Sequence, residues 1–347
     1  MRIDGVRISS VASIVPPNCE DNMGVPGFTE ERKTKIIAGT GVITRHIASA
    51  GVCTSDLVTE AAKLILTERN LDLNEVGVLL FATQSPDYIL PASSFLVHEA
   101  LKLGPDVITF DFNLGCSGYI YGLYLAACLL KTTGKKFALL LAGDTISKYV
   151  SQEDASTKFL FGDAGSATLM ETNEQAESMY FSLGTDGSGW QNLIIPAGAS
   201  RNRISVLTSV LETDSDGNKR SRENLFMDGL EIFNFTISTV VPHIQKVIDK
   251  LGMADIVVFH QANRYMLEFM RKSLKIPKDR FLYSLSKYGN TSSASIPVTL
   301  CAEYNAKQSG SKALISGFGV GYSWGTAVVD LSKTEIHAIR YLGEVHE

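Results

Sequence analysis

The sequence predicts an α/β protein assembled from two related halves. Three observations carry that expectation. Short apolar or β-branched runs alternate with longer stretches of helical periodicity, the pattern of sheets covered by helices. One order of segments occurs twice along the chain. Apolar residues make up 45% and charged residues 20% of 347 positions, enough to pack one large domain or two fused halves.

The elements follow in order. Ser55–Asn70 has helical periodicity and leads to an apolar strand, Val76–Ala82. Ala92–Leu103 is a second helix and Val107–Phe112 a second strand. Gly118–Lys131 has an apolar helical pattern, and Phe137–Ala142 is again strand-length. The second half offers helices Ile232–Leu251 and Tyr265–Leu274 and strands Ile256–His260 and Ala313–Ser316.

The repeat lies in the connections. VGVLLFATQSPD ends a strand in a turn, and FDFNLGCSGYIYGLYLA enters a helix through glycines. ADIVVFHQANRY and KYGNTSSASIPVTLCAEY take the same two places later. KKFALLLAGD and SKALISGFG close each set as strands. A duplication of this kind brings both sets of turns to one cleft. The polar run at Thr172–Glu177 divides the chain into residues 1–175 and 176–347. A second polar run, Leu211 to Asn224, reads as an exposed loop or hairpin tip.

The formal net charge of −5 gives no general attraction to nucleic acid or anionic lipid. Five widely spaced cysteines, an odd count without Cys-x-x-Cys, argue against a disulfide framework or structural zinc and for a reducing cytoplasm. No basic leader precedes a long apolar run, and the apolar stretches are too short to span a membrane.

Three residues stand out chemically. Cys116 lies in NLGCSGYIYG, between a strand and a helix, with Gly115 and Gly118 allowing close approach. At a helix start the dipole favours the thiolate, and the local N–H groups can hold an oxyanion. The plainer reading is a small buried core residue, the usual fate of a free cysteine. His260 ends the strand in IVVFHQAN and is followed by Gln261 and Asn263, so it faces a cleft or rests as a satisfied core histidine. None of the other five histidines has such a setting. Asn290, in KYGNTSSASIP, has small neighbours; it can donate from its amide or serve as a helix N-cap.

Two glycine-rich passages also follow apolar runs. SGFGVGYSWG, Ser316 to Gly325, lacks both the GxGxxG register and a following lysine, and reads as a tight passage presenting backbone N–H groups. In FGDAGS, Asp163 reads as structural.

Taken together, these segments resemble the 3-ketoacyl-acyl-carrier-protein synthase III family of the thiolase superfamily. The resemblance runs from GTGVITRHIA through ATQSPDYILP, FDFNLGCSGYIYGL, FGDAGSATL, MDGLEIFNF and HQAN to YGNTSSASIP and GFGVGYSWGTA. It implies a thiolase-like five-layer αβαβα fold from two duplicated halves, the first bearing the cysteine and the second the histidine and asparagine. It also implies a homodimer. Cys116 would carry the acyl group, while His260 and Asn290 would stabilise the enolate of a decarboxylating malonyl thioester. The backbone of Cys116, Gly319 and Val320 would form the oxyanion hole. Leu90, Gly229, Asn263 and Phe318 would contact substrate, with Leu90 reaching in from the neighbouring subunit. The substrates implied are thioesters of coenzyme A, of acyl carrier protein or of both, used without metal or redox cofactor in fatty-acid or related biosynthesis.

The chain departs from the family pattern at Lys35, where a stacking tryptophan is usual, at Ala155, where an arginine is usual, and at Arg264 with Tyr265 after HQAN. These changes put the nucleotide pocket in doubt and make delivery by a carrier protein plausible. An acyltransferase passing the Cys116 acyl group to a hydroxyl or amine would share the first half-reaction. A non-catalytic scaffold would be expected to have lost one of the three residues. A papain-type hydrolase is disfavoured by the absence of Cys-Gly-Ser-Cys-Trp.

Overall fold

The computed structural model describes residues 1–304 and 312–344. The first half supplies strands β1 (Val6–Val15), β2 (Val76–Ala82), β3 (Ile108–Phe112), β4 (Phe137–Asp144) and β5 (Ala164–Thr172). The second supplies β6 (Met179–Thr185), β7 (Ile256–Phe259), β8 (Lys312–Gly319) and β9 (Ser323–Asp330).

In the first sheet β1, β5, β4 and β2 lie side by side, and β3 forms the edge beyond β2. The pairings are antiparallel, antiparallel and parallel, with β3 again parallel. In the second sheet β6, β9, β8 and β7 repeat that order and those senses. Even β3 has a remnant counterpart, because Phe281 bridges Val257 in parallel. The duplication read from the connections is therefore a duplication of topology.

The chain passes from one sheet to the other between Thr172 and Met179. Its two ends cross over. Arg2–Ile3 pairs with β6 in the second sheet, and Glu335–Ile336 and Arg340–Tyr341 pair with β1 in the first.

Helices α1 (Thr54–Glu68) and α2 (Ser93–Ala100) cover the outer face of the first sheet. Helices α3 (Gly118–Thr133), α4 (Val241–Leu251), α5 (Arg264–Ser273) and α6 (Ser295–Glu303) complete the frame. Helices α3 and α6 lie between the sheets; α4 and α5 cover the outer face of the second. The period of two explains the layering. Val78, Leu80 and Ala82 of β2 meet α3, whereas Leu79 and Phe81 point outward to α1. The middle layer is buried on both sides, which is why α3 is apolar all round.

The predicted strands form within a few residues of their expected limits. The stretch expected as one helix over Ile232–Leu251 is instead Gly229–Phe235, a π turn at Thr236–Val240, and α4. Pro242 follows the wide turn; it has no N–H to donate, and its ring would crowd the carbonyl four residues back in a regular helix. Leu211–Asn224 contains a small hairpin, Glu212–Thr213 against Lys219–Arg220. Sequence reading passed over β1, β5, β6 and β9. Buried serines disguise β1: Ser9 donates to the Leu169 carbonyl at 3.3 Å, and the Ser10 hydroxyl meets His337 at 2.9 Å.

Candidate active site

Cys116 sits in the turn between β3 and α3, buried. Strand β8 passes directly against it. A Cβ on Gly319 would lie 2.9 Å from the Cys116 Cβ and 3.0 Å from Sγ, and one on Gly317 would overlap the Cys116 carbonyl oxygen. Glycine at these two positions brings the strand onto the nucleophile.

His260 follows β7, and its backbone N–H still donates to the Ser316 carbonyl at 2.8 Å. Its Nδ1 is 2.7 Å from the Ser295 hydroxyl at the start of α6. With that hydroxyl as donor, Nε2 carries the ring hydrogen. Phe318 stands edge-on to the imidazole, with ring centroids 5.8 Å apart. The ring is buried among such groups, which lowers its pKa to about 3 against a weaker pull from the Ser292 backbone. The imidazole is neutral at physiological pH, and so is a donor rather than a charge.

Asn290 is held by its backbone. Its N–H donates to the Leu160 carbonyl at 2.9 Å, and its carbonyl accepts from Gly162 at 3.1 Å. Its Oδ1 accepts from the Ser292 N–H at 3.0 Å. Among the described residues the Asn290 amide nitrogen has no hydrogen-bond partner, so both its hydrogens remain available.

Ser292 joins the three. It occupies the left-handed region at φ 50°. Its N–H holds Asn290, it lines one cavity with Cys116, and its backbone and hydroxyl bear on the titration of His260, Cys116 and Asp144. Burial and then the Asp144 charge push the Cys116 thiol up to about 12, opposed by its own N–H and the Ser292 hydroxyl. The helix-start lowering expected from sequence is thus outweighed by desolvation in the resting site.

A cavity of about 210 Å³ opens on Cys116, Ser292 and Val320. Ile146, Phe161, Leu193 and Leu225 give it an apolar wall. Gly319 flanks the nucleophile and Phe318 the histidine, and neither lines that cavity. Leu90 is 80% exposed and does not line its own chain's cavity. Gly229 is exposed at the start of its short helix, away from the cavity lining. Asn263 is an N-cap, its Oδ1 accepting from Met266 N–H at 2.9 Å.

Four supporting residues escaped the sequence reading. Besides Ser292, Ser295 orients the histidine. Arg45 is buried and donates to Asn22 at 2.7 Å, to the Phe161 carbonyl at 3.1 Å and to Glu20 at 2.5 Å, backing the loop that meets Asn290. Asp144, at the end of β4, accepts from Gln84 N–H at 2.7 Å and from Ser293. An acid closing an all-apolar strand run was the available signal for Asp144. Asp163 has the structural setting expected of it, accepting from Ala48 N–H at 2.8 Å and Ser147 N–H at 3.0 Å. Lys35 and Arg264 lie exposed, the arginine running across Gly41.

Twin sheets around a buried helical layer, with a cysteine at the entry of the middle helix, define the thiolase-fold condensing enzymes. Residues 110–187 match the family described as 3-oxoacyl-[acyl-carrier-protein] synthase III, and residues 249–331 match its C-terminal region. A Campylobacter jejuni protein named putative 3-oxoacyl-[acyl-carrier-protein] synthase 3 is 35% identical over 344 residues, covering 95% of each chain. The beta-ketoacyl-[acyl-carrier-protein] synthase III of Caldanaerobacter subterraneus is 32% identical over 94% of this chain and 98% of its own. The crystal structure of a Burkholderia xenovorans LB400 3-oxoacyl-(acyl-carrier protein) synthase superposes with a TM-score of 0.91 at 35% identity, covering 98% of both chains. The chain belongs to the 3-oxoacyl-[acyl-carrier-protein] synthase III family.

Proposed function

We propose that this condensing enzyme joins a Cys116-bound acyl group to a malonyl thioester, with loss of CO₂, to give a 3-oxoacyl thioester for fatty-acid or related biosynthesis. The observation that carries the reading is the meeting of Cys116, His260 and Asn290 at Ser292, beside an apolar-walled cavity.

The Cys116 sulfur attacks the carbonyl of an acyl thioester; the carrier thiol leaves and takes up the cysteine proton. The backbone N–H of Cys116, with those of Gly319 and Val320, holds the oxyanion. A malonyl thioester then loses CO₂, and the electron pair of the broken C–C bond forms an enolate. His260 Nε2–H and the Asn290 amide donate to its oxygen. Neutral donors suit this step, because the charge they stabilise appears only in the transition state. The enolate carbon attacks the acyl-cysteine, a C–C bond forms, and the Cys116 thiolate departs to be reprotonated. The reaction as written draws on its thioester substrates alone.

The partners proposed are acyl carrier protein, acyl-CoA or both. A homodimer is supported by β3, which leaves an open sheet edge among the described residues with Ile108 and Phe110 exposed, and by the exposed Tyr88, Ile89 and Leu90. In such a dimer Leu90 would reach the partner's cavity. No helix among the described residues is long and apolar enough to cross a membrane, and we place the enzyme in the cytoplasm.

Mass spectrometry on intact protein and peptides tests the reading. Acyl thioesters should add one acyl group at Cys116 and none to Cys116→Ala, and a malonyl thioester should discharge it as a 3-oxoacyl product. Discharge to a hydroxyl or amine alone would replace condensation with transfer.

A further inference from the structure

The cavity is apolar on one side and polar on another. Gln84 and Asn113 line it together with Cys116, and among the described residues neither side-chain amide has a hydrogen-bond partner. Gln84 is not a stray surface residue. Its backbone N–H is pinned to Asp144 at 2.7 Å. A Cβ on Gly115 would overlap the Gln84 side-chain oxygen and lie 3.2 Å from the Val320 Cγ1. The chain thus omits a side chain next to the nucleophile, and the glutamine amide fills that space. Asn113 is exposed and stands on the turn that leads from β3 to Cys116.

An alkyl chain seated against these groups would displace water from the half-buried Gln84 amide and leave it unpaired, which is unfavourable, whereas the exposed Asn113 amide would keep part of its solvent. An oxygen substituent would pair with them, since each amide both donates and accepts. We infer that the acyl group received by Cys116 is a short chain bearing a hydroxyl or oxo oxygen, read by Gln84 and Asn113, with its carbon skeleton against Ile146, Leu193 and Leu225. This rests on the acyl-cysteine reading above and narrows its substrate class.

The experiment compares butyryl-CoA with 3-hydroxybutyryl-CoA, each enantiomer separately, by following single-turnover acylation of Cys116 in the full chain. The hydroxylated thioester should react about tenfold faster than butyryl, a modest share of what a hydrogen-bonding site can discriminate. In Gln84→Met, which keeps length and removes the amide, that ratio should fall to about one. If Gln84→Met does not fold, the wild-type ratio and Asn113→Leu decide. Equal or faster reaction of butyryl in the wild type overturns this inference and leaves the condensing-enzyme reading standing, as does a ratio unmoved by both substitutions. A folded protein that accepts no acyl thioester overturns both.

Discussion

Asp144 and Ser293 are bonded twice: Oδ2 of the carboxylate accepts from the Ser293 N–H at 3.2 Å and from its hydroxyl at 2.8 Å. Oδ1 takes the Gln84 N–H at 2.7 Å and the Ser85 hydroxyl at 3.1 Å. One fully buried acid therefore ties the end of β2 to the loop that carries Asn290 and Ser292, across the two halves. Replacing it with alanine strands several buried donors. Asp144→Ala should lose about 2–4 kcal/mol of stability in denaturant unfolding. Its remaining folded fraction should lose condensation more than Cys116 acylation.

Ser292 combines an unfavourable backbone with a useful side chain. Its φ of 50° suits glycine better than serine. Ser292→Gly should therefore be neutral or stabilising, by up to about 1 kcal/mol. Loss of the hydroxyl beside Cys116 should nevertheless slow acylation several-fold. Thermal melts set beside single-turnover acylation check the separation, and a fall in stability with unchanged acylation would contradict it.

His260 and Asn290 should divide from Cys116 kinetically. His260→Ala and Asn290→Ala should still form the acyl-enzyme but lose malonyl decarboxylation by about 100-fold or more, the usual cost of one preorganised donor. The measurement is CO₂ release from labelled malonyl thioester by pre-acylated protein.

The pH dependence carries a definite sign. Burial raises the Cys116 thiol from 9.0 to about 12 and Cys301 equally. Between those limits the native protein keeps protons that the unfolded chain releases, so stability falls as pH rises past 9. His260 is lowered from 6.5 to about 3, so it contributes a loss of stability as pH falls through that window. Asp163, raised from 3.8 to about 6, opposes this on the acid side, because there the native carboxyl holds the extra proton. Melting temperature should drop above pH 9, and less steeply in Cys116→Ala.

The three candidate catalytic residues stood out because each closes an apolar run or enters a turn of small residues, but each also had an ordinary structural reading there, and the family resemblance decided between the two. The topology was half legible. Strands such as Val76–Ala82 announce themselves by apolarity, whereas β1 and β5 carry buried serines and threonines whose hydroxyls bond inside the sheet. For a different reason the role of Ser292 was illegible, and that of Asp144 was signalled only by an acid closing an apolar run. Their roles depend on contacts across about 150 positions of sequence, and locally one resembles a turn serine and the other a strand-end acid. Leu90 and Gly229, placed by resemblance, stand outside this chain's cavity.

The crossed termini make the molecule a clasp. Arg2–Ile3 is sewn to β6 and Arg340–Tyr341 to β1, so each half is laced by a ribbon belonging to the other. Jaw-like opening of the cleft would have to unpick both seams. A pulling force applied at those two ribbons would strip the seams before it reached the catalytic core.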